Sequence, residues 1–96
     1  NEGRRIGTPD LTLIVSRNKK QHGLEGRAAF IAGKKLGNAV WRNRAKRRMR
    51  SLCKDADSSF TGYDVVFLAK RSVNRTDYST MLARLNEAVR INLARE

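Results

Sequence analysis

The stretch Asn38-Ala39-Val40-Trp41-Arg42-Asn43-Arg44-Ala45-Lys46-Arg47-Arg48-Met49-Arg50-Ser51-Leu52-Cys53-Lys54 holds no glycine, no proline and no acid. With no breaker it can run as one helix, and Asn38 can start that helix by accepting a backbone N–H of the first turn. At about 100° per residue, Trp41, Ala45, Met49, Leu52 and Cys53 fall on one broad face. Asn43, Lys46, Arg47, Arg50 and Lys54 fall opposite, and Arg42, Arg44 and Arg48 flank the border. The spacing predicts an amphipathic helix over 39–54, with one face for a core and one face almost wholly cationic.

Apolar runs of strand length lie on both sides of this helix. Leu11-Thr12-Leu13-Ile14-Val15 is β-branched and partly alternating, which predicts a strand. Asn18, Lys19, Lys20, His22, Gly23 and Gly26 give residues 16–26 the composition of a loop. Ala28-Ala29-Phe30-Ile31-Ala32, ended by Gly33, is short for a helix and reads as a buried strand. Residues 1–9 are polar and read as an arm or the tail of another element. Beyond the helix, residues 55–62 form a polar loop ending in Gly62, and Asp64-Val65-Val66-Phe67-Leu68-Ala69 is the strongest strand signal, of the continuous buried type. Asn74 to Asp77 supply turn and cap candidates. Tyr78, Met81, Leu82, Leu85, Ala88, Val89 and Leu93 then repeat at helical spacing. The order β, β, α, β, α predicts a sheet packed on helices, with the middle helix as a crossover between two strands.

Ninety-six residues with 40% hydrophobic content support one domain with a modest core. Twenty-one Lys and Arg face nine Asp and Glu, leaving a net charge of +12. A charge excess of that size repels itself in a compact chain, and a polyanion relieves it by releasing counterions. Cys53 is alone, so no internal disulfide forms, and one Cys with one His, His22, is too few ligands for structural zinc. That usage suits a reducing cytoplasmic setting. No apolar run reaches the roughly 18–20 residues of a spanning helix, and Arg4, Arg5 and Pro9 precede only a short apolar stretch, unlike a signal peptide.

The charge is also unevenly placed. Residues 26–54 contain no acid, yet hold Arg27, Lys34, Lys35, Arg42, Arg44, Lys46, Arg47, Arg48, Arg50 and Lys54. An ordinary solvated helix face mixes signs, because i,i+4 ion pairs relieve repulsion. An acid-free face reads instead as a phosphate-binding surface. Arginine outnumbers lysine in the helix, and its planar fork suits bidentate phosphate contact and base stacking. Asn43 among the arginines either pairs with a base edge or a 2′-OH, or serves as a neutral spacer.

The segment from Lys34-Lys35 through Gly37-Asn38-Ala39-Val40 and Arg42-Asn43-Arg44 to Lys46-Arg47 and Arg50 closely resembles the signature segment of the bacterial ribonuclease P protein family. That family has paired lysines, a Gly-Asn-Ala-Val turn, an Arg-Asn-Arg core, then Lys-Arg and a final Arg. The likeness runs from about Gly3 to the end, with Gly62-Tyr63-Asp64-Val65-Val66 resembling the strand that follows the helix. Tyr78, at the start of the last helix, also fits.

The resemblance implies an α/β (α+β) two-layer sandwich: a small mixed sheet with a left-handed βαβ crossover through the signature helix, packed against helices. It implies a single RNA-binding domain over 1–96 that assists a catalytic RNA. That RNA performs Mg²⁺-dependent endonucleolytic removal of the 5′ leader of precursor tRNA. The protein contributes no catalytic residue and no metal site, and Mg²⁺ is bound mainly by the RNA. Arg42, Asn43, Arg44, Lys46, Arg47 and Arg50 are implied to contact the RNA, with Asn38 and Arg48 in the same surface. Lys34 and Lys35 are implied at its entrance, and Ile14 and Phe30 as the floor of a cleft for the leader. A 1:1 complex with the RNA is expected.

Departures from the family pattern are visible. Its opening helix, which carries cleft-lining Phe residues, has no counterpart here and is expected to be missing or truncated. Gly33 stands where the family commonly has Ser, Trp41 replaces a smaller apolar residue, and Ile14 takes a place where some members have an aromatic. Taken singly, Trp41, Phe30 and Phe67 read as packing residues and Cys53 as a small buried hydrophobe. Asp55, Asp57 and Asp64 show no metal-binding spacing and read as solvated or capping acids. The rival readings are a ribosomal or other structured-RNA-binding protein, a groove-reading DNA-binding protein and a membrane-active cationic helix. A helix-turn-helix would need a second helix just upstream, where Leu24–Ala32 reads as loop and strand. The strand–helix–strand pattern argues for a folded domain over a membrane-surface peptide.

Overall fold

A computed structural model of the chain describes residues 3–17, 27–57, 60 and 62–93. The strands are β1 (Arg4–Gly7), β2 (Leu11–Arg17), β3 (Arg27–Ile31) and β4 (Tyr63–Ala69). The helices are α1 (Ala39–Asp55) and α2 (Tyr78–Leu93), with 3₁₀ turns at Lys34–Leu36 and Arg71–Asn74. The sheet order is β1-β2-β4-β3. β1 and β4 each pair antiparallel with β2, while β3 pairs parallel with β4. Parallel neighbours need a crossover, and α1 supplies it between β3 and β4. The result is the expected two-layer α+β arrangement with a mixed sheet.

Alternation along the strands decides which face is covered. Leu11, Leu13, Val15, Val65 and Phe67 are buried, whereas Thr12, Ile14, Ser16, Val66 and Leu68 are only half-buried on the other face. The covered face meets Ala45, Met49 and Leu52 of α1 and Met81, Leu85 and Val89 of α2 in one core cluster. Each large side chain among these contributes roughly 1.5–3 kcal/mol by burial. Phe67 sits at the centre, with the Phe30 ring 5.1 Å away and the Phe60 ring edge-on at 6.3 Å. Phe60 (φ 54) and Gly62 (φ 85) turn the chain into β4 through left-handed backbone. For Phe60 that conformation costs about 1–2 kcal/mol, offset by placing its ring in the core.

Three expectations need correction. Residues 4–7 are not an arm: β1 runs along β2 from Arg4 opposite Val15 to Gly7 opposite Thr12, and Ile6 is 1% exposed. A strand with one apolar side chain carries almost no periodic signal, so pairing and that single buried side chain create it. Arg4 Nη1 also donates to the Asn92 carbonyl at 2.6 Å, tying β1 to the end of α2. β3 is a strand as expected but is not buried, because it is a sheet edge. Ala28 and Ala29 are exposed and Ile31 is 48% exposed, while Phe30 alone of the strand's described side chains packs against the core. Ser16 and Arg17, expected in a loop, end β2. The remainder of that loop, with His22, lies outside the described residues.

A buried acid locks the ends of these elements together. Asp10, 1% exposed, lies within the turn in which the Thr8 N–H donates to the Leu11 carbonyl. Its carboxylate accepts from Thr76 Oγ1 (2.6 Å), Ser72 Oγ (2.7 Å) and Arg84 Nη1 (3.1 Å). Burial works to raise its pKa, but these donors outweigh burial and hold it below its ordinary value. Among the described residues, no helix is long and apolar enough to cross a membrane.

Candidate nucleic-acid interface

Local chemistry sets where α1 begins. Asn38 Oδ1 accepts the Trp41 N–H at 2.9 Å, and the Asn38 carbonyl accepts the Arg42 N–H at 2.9 Å. The expected cap is therefore made, and it fixes the phase in which the cations leave the helix. Gly37 is needed just before it: a Cβ there would lie 2.7 Å from Trp41 Cγ, so the Trp41 ring rests directly on the glycine backbone.

From that start, Lys34, Lys35, Asn38, Asn43, Arg44, Arg47 and Arg50 are exposed, and Arg42 and Lys46 are half-buried. Arg42, Arg44, Lys46 and Arg47 have neither an ion-pair nor a hydrogen-bond partner among the described residues. Nearby acids are used elsewhere. Asp55 Oδ2 accepts from the Tyr78 hydroxyl at 2.6 Å, and Asp10 pairs with Arg84. Burial first, and then the Asp55 carboxylate, push the Tyr78 phenol up to about 12. Cys53 is half-buried, and burial pushes its thiol up, away from nucleophilic use.

Two residues expected on this surface do other work. Arg48 turns inward: Nε donates to the Val73 carbonyl (3.0 Å), Nη2 donates to the Thr76 carbonyl (2.6 Å), and the guanidinium lies 5.9 Å from the Tyr78 ring centroid. It clamps α1 to the segment leading into α2. Arg50 remains exposed, but its guanidinium stands 5.3 Å over the Phe30 ring. Phe30 thus supports a cation from beneath. Phe30 sits beside Phe67 on the helix-covered face, whereas Ile14 lies opposite Val66 on the other face. The two cleft candidates therefore do not line one floor together.

Sequence reasoning missed the neighbouring segment. Asn74 Nδ2 donates to the Trp41 carbonyl at 3.0 Å, which brings the β4–α2 connection against the first turns of α1. Arg75 and Arg44 then border one open groove. No local pattern in residues 70–77 announces this, because the contact spans more than thirty positions.

The assembled surface can bind phosphates and orient a strand, and its charged groups are donors throughout. A family model described as Ribonuclease P matches residues 1–92. The chain belongs to the ribonuclease P protein family. The Ribonuclease P protein component of Streptococcus mutans serotype c is 30% identical over 90 residues, covering 94% of this chain and 73% of that protein. The Haemophilus influenzae (strain PittGG) component is 33% identical over 75 residues, covering 78% of this chain and 61% of that protein. Among solved structures, the Staphylococcus aureus RNase P protein matches with a TM-score of 0.74 at 25% identity, covering 93% of this chain and 80% of that one. The Thermotoga maritima RNase P protein matches with a TM-score of 0.71 at 20% identity, over 90% of this chain and 80% of that one, a likeness of fold. The four-stranded mixed sheet with two helices is thus the arrangement of solved ribonuclease P proteins.

Proposed function

We propose that this chain is the protein component of a ribonucleoprotein endoribonuclease that matures tRNA 5′ ends. It binds the catalytic RNA of ribonuclease P and the 5′ leader of precursor tRNA, and assists RNA-catalysed removal of that leader. The observation that carries this reading is the outer face of α1, where Arg42, Arg44, Lys46 and Arg47 stand without partners among the described residues. Phosphates would supply the missing counter-charges, and Asn43 adds a group that can discriminate a base edge or a 2′-OH. Lys34 and Lys35, exposed on the 3₁₀ turn ahead of α1, extend the cationic field toward its start. Ile14 on the open sheet face remains the candidate for leader contact.

The reaction needs Mg²⁺, and the α1 donor set does not fit it. Guanidinium, ammonium and amide groups repel a hard dication or ligate it poorly, where carboxylates would hold it. The reading therefore leaves Mg²⁺ with the RNA, and the protein's share is to neutralise and position phosphates. A 1:1 complex in the cytoplasm completes the proposal. Reconstitution with the catalytic RNA at low Mg²⁺, using substrates with and without a 5′ leader, tests it. The expected result is stimulation that is greater for leader-bearing substrate, with no cleavage by protein alone. No stimulation would point to another structured-RNA-binding role, and Mg²⁺-dependent cleavage by RNA-free protein would overturn the division of labour.

A further inference from the structure

We infer that the groove between the first turns of α1 and the β4–α2 connection is a nucleotide site: it takes one nucleotide of the RNA held by α1, with the phosphate between Arg44 and Arg75 and the base or ribose against Val40 and Trp41. This rests on the reading of α1 as an RNA-binding face and extends that face onto a second element.

Four observations carry it. Arg44 and Arg75 come from elements far apart in sequence, border the same groove, and have side chains with no partner among the described residues. Folding therefore brings two like charges together, with no acid among the described residues of the groove's lining to offset them. Second, Arg75 stands on a fixed platform. Asn74 Nδ2 holds the Trp41 carbonyl at 3.0 Å, and Arg48 bonds the Val73 and Thr76 carbonyls on either side. The Arg75 N–H itself donates to the Ser72 carbonyl at 2.9 Å. A guanidinium on a fixed backbone loses less freedom on binding than one on a free loop. Third, Val40 is 77% exposed at the groove, an apolar surface that the core does not use, and it adjoins the half-buried Trp41. Cations beside an apolar and aromatic wall are what a nucleotide, charged at one end and flat at the other, complements. Fourth, Asn74, which lines the groove, keeps a buried Oδ1 with no partner among the described residues, an acceptor that a small side-chain shift would offer to a ligand. The volume of about 500 Å³ admits one nucleotide.

The test uses the whole chain and the catalytic RNA of ribonuclease P across a salt series. Arg75→Ala, Val40→Ser and, on the outer face of α2, Arg90→Ala are compared with the wild type after circular dichroism shows each is folded. Trp41 is the chain's one tryptophan, so its fluorescence reports the groove in the same titration. The expected results are quenching of Trp41 at saturation and an affinity loss on the order of tenfold for Arg75→Ala, with the slope of log K against log salt reduced by about one. Val40→Ser is expected to lose about fivefold with no change of slope, and Arg90→Ala nothing. Wild-type affinity and slope in Arg75→Ala, or unchanged Trp41 fluorescence at saturation, overturns the nucleotide site while leaving the α1 reading intact. A wild-type protein that does not bind the RNA defeats the α1 reading and this inference with it.

Discussion

Helices α1 and α2 lie against the same face of one sheet and bury similar triplets, Ala45, Met49 and Leu52 in the first and Met81, Leu85 and Val89 in the second. Each is preceded by a polar residue that accepts a first-turn N–H, Asn38 for α1 and Asp77, at 3.3 Å from the Thr80 nitrogen, for α2. Toward solvent they diverge. α2 carries Arg84, Glu87 and Arg90; Arg90 bonds Glu87 at 2.6 Å, and Arg84 reaches Asp10. α1 carries five Arg and two Lys against one acid, Asp55, at its last residue. A helix that only has to cover a sheet can neutralise its own charges, gaining about 0.3–0.5 kcal/mol per i,i+4 pair. α1 forgoes that gain on successive turns, so its charge pattern answers to something other than folding. Within one small molecule, α2 shows what the fold requires and α1 shows what has been added.

The contrast breaks first at the exposed cations. Replacing Arg44, Lys46 and Arg47 together by Ala is expected to weaken structured-RNA binding by on the order of a hundredfold and to lower the salt slope by about two to three. Stability should not fall, since like-charge repulsion is relieved; filter binding and urea denaturation read the two effects. Equal losses from this triple variant and from Arg90→Ala would erase the distinction between the helices.

The arginines that bond other elements sharpen it next. Arg48→Met and Arg84→Met should each destabilise the fold by about 1–3 kcal/mol, because each leaves buried oxygens short of a charged donor. RNA affinity of folded Arg48→Met should stay within about threefold of wild type, which separates this clamp from the cations around it. The Asp10 end of the Arg84 contact adds a pH signature. Its folded-state pKa lies below the ordinary 3.8, so its stabilisation is complete above that value and is lost as pH falls through the depressed one. Asp10→Asn should flatten the stability curve below about pH 4, read by thermal denaturation. Smallest is the cap: Asn38→Ala should cost about 1 kcal/mol, with a loss of helicity at the start of α1.

What was readable in the chain follows from how local each cause is. The limits of α1, its cap and its cationic face all arise within the helix and the residue before it, and periodicity exposes them. β4 and α2 declare themselves by continuous or 3/4-spaced apolar residues. β1 exists because β2 is beside it, and nothing in Arg4-Arg5-Ile6-Gly7 says so alone. The apolar run at 28–32 promised burial, but burial depends on having neighbours on both sides, and β3 has one. The site divides likewise. Free cations were legible, whereas the inward turn of Arg48 depends on carbonyls of Val73 and Thr76 presented by another element. The arrival of Arg75 beside Arg44 is equally a property of the fold.

The Asp10 lock has a consequence for the order in which this protein comes into being. Its partners Ser72, Thr76 and Arg84 lie 62, 66 and 74 positions further along, and β2 finds its central neighbour only when β4 arrives, with Leu11 opposite Ala69. During vectorial synthesis the β1–β2 hairpin is made before β4, and a two-stranded hairpin is at best marginal by itself. The cationic helix is made next, before the sheet that carries it can close. A nascent chain stopped short of Arg84 has the charge but neither the lock nor the second helix to cover the core. The tertiary fold therefore closes only once α2 has been made, and the cationic face of α1 is translated before β4 and α2, which complete the scaffold that presents it.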